Sequence, residues 1–188
     1  MISVDCVDCW CPNHGPTFSS HKFAKKGGLQ YKIAICIQTG HVVWVNGPFA
    51  CGKYNDIKIF RKSLMTFLDM GKRVEADDGY IGEHPQHVKC PAGFSNPETT
   101  EFMQQRVRNR QETINKRMKT WGVLEHIFRD ELATHGNIFC SILVIEQIAI
   151  ENGEPLFSVG YRNLTAAEID ANDIDLTEDM VMEFMSME

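Results

Sequence analysis

No apolar run in this chain of 188 residues approaches the ~20 needed to span a bilayer, so no membrane partner is expected. The opening Met1-Ile2-Ser3-Val4-Asp5 lacks a basic-then-apolar secretion signal, and an intracellular setting is expected, nuclear in a eukaryote. Neither a P-loop nor a dinucleotide-binding glycine pattern is present, which argues against nucleotide hydrolysis and hydride transfer. Seven cysteines is an odd number without a regular framework, so reduced thiols are expected rather than disulfides. Cys6, Cys9, Cys11 and His14 lie close together, but no second Cys-x-x-Cys follows. Cys6 and Cys9 also point to opposite sides of a predicted strand, so buried thiols are expected there rather than zinc. Cys90, between Lys89 and Pro91, has no readable histidine partner that would make it a nucleophile. No internal repeat is visible.

Positive charge is missing from one end. Leu164 to Glu188 holds eight acidic residues and no Lys or Arg, which reads as an acidic, flexible tail over 161–188. The overall charge is −6, yet outside Leu164–Glu188 17 acidic residues face 19 basic ones. Phe102 to Asp130 carries seven basic residues against three acidic. A basic segment in an acidic chain suits a polyanionic partner. A solvated helix face has the same composition.

What remains has the periodicities of one α/β domain over 1–160. Ile2 to Cys9, Leu29 to Gln38 and His41 to Asn46 read as three strands of an antiparallel meander, with a turn at Thr39-Gly40. Asn55 to Met70 has helical spacing with Asn55 as N-cap, and Gly71 ends it. Lys72 to Asp77 reads as a short strand and 81–100 as loop. A long helix capped by Thr99 or Thr100 is expected to about Trp121, then a helix over 123–134 and another starting at Asn137.

Three acidic positions stand out in this frame. Asp5 lies inside the first strand; Asp8 points to the opposite face by the two-residue period, so Asp5 is the better placed. Asp77 ends its strand, although it also suits a turn at Gly79. On the long helix, Arg108, Glu112, Asn115 and Lys119 fall on one stripe, with Met103, Val107, Ile114, Met118 and Trp121 on a second. Glu112 can bind a metal while Arg108 and Lys119 hold phosphates. An i, i+4 salt-bridge ladder is the structural alternative.

The segments "VDCVDC", "GPFACGKYNDIKIFR", "EADDGYIG" and "ETINKRMK" together resemble the nuclease domain of DDE transposases, in particular the Harbinger-like group. The resemblance covers about residues 2–155. It implies a ribonuclease H-like fold, a mixed sheet with antiparallel first three strands flanked by helices. It also implies divalent-metal-dependent cleavage and joining of DNA strands. Residue by residue, Asp5, Asp77 and Glu112 match the catalytic carboxylates, holding two Mg²⁺ or Mn²⁺ ions. Asp56 matches a further acidic position that helps bind metal, although it also suits the start of a helix. Arg108, Glu112 and Lys119 fit a related insertion-element spacing whose tyrosine falls on Gln105, a departure. Arg108, Asn115, Lys116 and Lys119 are the expected DNA contacts. The implied partners are transposon ends and target DNA, with a second copy of the chain or a separate DNA-binding protein. Family members usually carry an N-terminal helical DNA-binding region ahead of the first aspartate. A catalytically silent, truncated remnant that only binds DNA or protein is the alternative.

Overall fold

The computed structural model describes residues 1–12, 14–91 and 97–159, and within the long helix side chains from 105 onward; the tail expected over 161–188 lies outside the described residues. Strands β1 (Ile2–Trp10), β2 (Gly28–Cys36) and β3 (Val42–Ala50) are long. β1 pairs antiparallel with β2, and β2 with β3. On the other side of β1 lie β4 (Val74–Glu75) and β5 (Val88–Lys89), both running parallel to it, giving the order β3-β2-β1-β4-β5. The protein is therefore mixed α/β, with a five-stranded mixed sheet flanked by helices.

The meander accounts for only three of these strands. β5 falls in the stretch read as loop, and β4 is two residues long rather than six. Strands this short carry no readable alternation. The turn between β2 and β3 is as expected: Gly40 takes the left-handed φ of +79°, and its N–H donates to Cys36 O at 2.8 Å.

Helices cover both faces. Val4, Ala34, Val74 and Ala76 pack with Phe60 and Leu64 from α1 (Asp56–Lys62) and the short 3-10 turn Leu64–Phe67. Val7, Tyr31, Ile33 and Ile35 pack on the other face with Ile114 and Met118 of α2 (Pro97–Thr120) and Phe139 and Leu143 of α4 (Leu132–Glu151). β2 is buried over nearly its whole length, as a central strand must be. Tyr31 is the anchor of the second layer. Its ring stacks on Phe139 at 3.7 Å, and its hydroxyl lies 2.6 Å from His135 Nδ1.

Several helix boundaries differ from expectation. Asn55 does cap α1, accepting from Lys58 N, but α1 stops at Lys62. The Ser63 hydroxyl donates to Ile59 O and its backbone leaves the helical region (φ −135°, ψ −92°), which breaks the helix expected to reach Met70. Thr99 and Thr100 lie inside α2 rather than capping it. The helix expected over 123–134 is split: α3 (Gly122–Glu125) ends early, because Phe128 N donates to Trp10 O at the end of β1 and holds the following segment extended. α4 starts at Leu132, so Asn137 is interior. α4 is also long and apolar enough, by length and composition, to cross a membrane, which the sequence reading missed. Its Phe139, Ile142, Leu143 and Ile150 belong to the core.

Candidate active site

The seam between β1, the end of β4 and α2 gathers the acidic residues. Two adjoining cavities open there, one of about 90 Å³ and one of about 340 Å³, and Asp5, Asp77 and Glu112 line both. Asp5 is presented by the α2-facing side of β1, where Asn115 Nδ2 donates to its Oδ2 at 2.8 Å. Asp77 follows β4 and starts the 3-10 turn Asp78–Glu83, its Oδ1 accepting from Gly79 N at 3.0 Å. The turn-forming role and the cleft-lining role thus coincide in one residue. Glu112 projects from α2 and is exposed.

The carboxylates act on one another. Burial pushes the Asp5 carboxyl up to about 6, and the charge of Asp77 adds to the rise; the Cys6 backbone, Lys22 and Lys32 oppose it. Asp77 is also raised, first by burial and then by the charge of Asp56. Like charges crowded in a partly dry cleft disfavour one another's ionisation, and a cation reverses this. Among the described residues, however, no three His, Cys, Asp or Glu side chains form a ready-made metal cage.

Asp56 is close enough to act on Asp77, but it is already engaged. The ammonium of Lys32, a residue only 1% exposed, hydrogen-bonds Asp56 Oδ1 and lies 5.2 Å from the centre of the Tyr80 ring. Asp56 is therefore the counter-ion of a buried lysine as well as the first residue of α1.

The helix stripe faces the cleft, with a division of labour the sequence did not reveal. Glu112, Asn115, Lys116 and Lys119 line the larger cavity, and Arg108 and Glu112 the smaller. Among the described residues no ion pair joins Arg108 or Lys116 to Glu112, so the stripe is no salt-bridge ladder. Arg108 Nη2 instead donates to Gln105 Oε1 at 2.7 Å. Lys119 donates to Asp8 O and to Leu124 O, tying α2 to β1 and α3. Lys116 is exposed and points no bond at the protein among the described residues. The second stripe holds for Val107, Ile114 and Met118, which are buried; Trp121 is partly exposed just past the helix, and the Met103 side chain lies outside the described residues.

Comparison with protein-family models, with curated proteins and with solved structures returns no match for this chain.

Other cleft residues were missed by sequence reasoning. Glu75 lines the smaller cavity and pairs with Lys89 of β5 at 3.9 Å, both nearly fully buried. It stands two residues before Asp77, so the strand period alone could have marked it. Gln111, also buried, accepts from Ser3 Oγ and donates to Ile33 O, fixing α2 on the sheet. Asp8 borders the larger cavity together with Asp5, where the two-residue period had separated them. Cys6, Cys9 and Cys90 are buried; burial raises the Cys6 thiol and pushes Cys9 up to about 12, so both are protonated at neutral pH.

Proposed function

We propose that this chain is the ribonuclease H-like nuclease domain of a DDE-type transposase, cutting and joining DNA with divalent metal ions. One observation carries the reading: Asp5, Asp77 and Glu112, far apart in sequence, line one cleft together. An all-oxygen donor set suits Mg²⁺ or Mn²⁺. Such ions, when bound, lower the pKa of a water nucleophile and neutralise charge on phosphate oxygens. Asp5, Asp77 and Glu112 are the residues that would hold them. Asn115 orients Asp5, and the Gly79 N–H orients Asp77. Lys116 and Arg108 flank Glu112 and present cationic donors to a phosphate backbone. The substrates under this reading are transposon ends and target DNA.

The test is nicking of supercoiled DNA with Mn²⁺ by the wild-type chain and by Glu112→Ala. Nicking by the wild type alone supports the reading; equal nicking by both, or by neither, ends it. The lack of a ready-made cage among the described residues favours a second reading, a catalytically silent module that binds DNA or protein only. That reading requires binding with no nicking at any metal concentration.

A further inference from the structure

The larger cavity has a second wall, supplied by the loop between β1 and β2. This loop is held firmly. Cys11 N donates to Gly27 O, Ser20 N to Lys26 O and Lys25 N to Ser20 O. Near its tip Ala24 and Lys25 both take left-handed backbone angles (φ 49° and 65°), which non-glycine residues rarely adopt. Just before that bend, Lys22 and Phe23 line the cleft that Asp77, Glu112 and Lys116 also line.

The chemistry of this wall is distinctive. Phe23 packs edge-on against Trp10, with ring centres 5.1 Å apart. Lys26 Nζ lies 5.3 Å from the Trp10 ring and Lys119 Nζ 5.8 Å from the Phe23 ring. Lys22 reaches Asp8 at 3.4 Å while its side chain stays 66% exposed. An ammonium has three donors, so this contact leaves others for a ligand. Exposed lysines lining one groove suit a phosphate chain, and an aromatic ring lining the same groove suits a base that is not already stacked. Bases inside a duplex offer no free face to such a ring.

We propose that the 14–27 part of this loop is a strand-guiding wall that binds single-stranded nucleic acid beside the carboxylate cluster. Lys22 contacts a phosphate and Phe23 stacks on an unpaired base. The placement rests on the nuclease reading, but the binding itself needs no cleavage.

The experiment is fluorescence anisotropy on the full chain with Ca²⁺ present, using a labelled oligothymidylate and its duplex with oligodeoxyadenylate. Lys22→Ala is expected to weaken single-strand binding and to reduce the slope of log affinity against log salt by roughly 0.7. Phe23→Leu is expected to weaken single-strand binding about tenfold, with its slope and duplex binding unchanged. Phe23→Tyr keeps the ring and should retain binding. Thermal melts of all three identify any variant that has merely unfolded. A folded Lys22→Ala with an unchanged slope overturns the proposal. So does a folded Phe23→Leu that loses single strand and duplex equally, or a folded Phe23→Tyr that fails to bind. If the wild type never nicks DNA yet single-strand binding depends on Lys22 and Phe23, the nuclease reading fails and the loop assignment stands. If the wild type nicks DNA and both loop variants bind normally, the loop assignment fails and the nuclease reading stands.

Discussion

Asp5 sits beneath the long helix with its carboxyl raised from 3.8 to about 6, mostly through burial. The folded state therefore holds this proton more tightly than the unfolded chain. That contribution to stability is fully present below about pH 4 and is lost as pH rises through 6. At pH 7 the ionised group costs up to about 3 kcal/mol, at roughly 1.4 kcal/mol per pH unit. Asp5→Asn should therefore stabilise the metal-free protein at pH 7 and gain little at pH 4. An asparagine here also meets Asn115 on both sides, because Asn115 Oδ1 is buried without a partner. Urea unfolding at the two pH values checks this; a variant weaker than wild type at pH 7 refutes it. Added Mn²⁺ should raise the wild-type melting temperature and leave that of Asp5→Asn nearly unmoved. His135 works in the opposite sense. Burial lowers it to about 4, so its contribution is lost as pH falls from 6.5 toward 4. A second residue-scale expectation concerns Lys32. Asp56→Asn strands a buried ammonium and should cost about 3 kcal/mol, most of it recovered in the double variant with Lys32→Met. A double-mutant cycle in urea decides; additive losses would mean that the two are not coupled. If Asp56 is counter-ion alone, metal affinity stays unchanged in the double variant.

At the scale of elements, α2 brings the cleft together, and its polar residues divide into braces and contacts. Lys119 bonds two backbone carbonyls, so Lys119→Ala should destabilise the fold by about 1–3 kcal/mol through lost charge-assisted hydrogen bonds. Glu112→Ala, at an exposed position without an ion pair among the described residues, should barely shift the melting temperature while abolishing nicking. Melts and nicking assays on both variants test the division; a stable Lys119→Ala that loses only DNA affinity would return Lys119 to the phosphate contacts. The helical stripe was readable because the 3.6-residue period is rigid over six turns. The sequence did not reveal that Lys119 would find Asp8 O, because backbone partners carry no side-chain signature. Asp5 was legible as a strand-borne carboxylate; Asp77, expected to end its strand, instead starts the turn two residues past β4, a role its place before Gly79 also signalled. Glu75 could have been marked by the strand period, but the approach of Lys32 to Asp56 could not, because it depends on packing across the sheet. Boundaries failed where hydrogen bonds override local propensity, a local one back to Ile59 O at Ser63 and a tertiary one to Trp10 O at Phe128. β5 failed because two residues in a parallel pair leave no pattern.

For the whole molecule, under the proposed nuclease reading, charge distribution decides how DNA would be met. The cleft mixes exposed Lys22 and Lys116 with four carboxylates, so electrostatic attraction is weak until cations neutralise the floor. Binding to mixed-sequence duplex should be weak without divalent ions, stronger with them and steeply salt-dependent, with little preference for any one sequence. Anisotropy titrations across salt, with and without Ca²⁺, measure all three; tight sequence-selective binding in chelator would contradict them.

The two rims of the sheet bear on how these molecules behave when crowded. β5 closes one rim with a two-residue strand, too short to template a ladder. β3 closes the other, and it is nine residues long, with Val43 half exposed. Pro48 removes one N–H from it, and two register shifts against β2 bend it. Gly47, whose added Cβ would lie 2.6 Å from the Tyr31 ring, leaves no room for a side chain at that bend. Open rims invite intermolecular β-pairing and aggregation, and an interrupted one resists it. The break at Gly47-Pro48 therefore guards solubility as well as shaping the strand, keeping a mostly apolar rim from recruiting its own kind at high concentration.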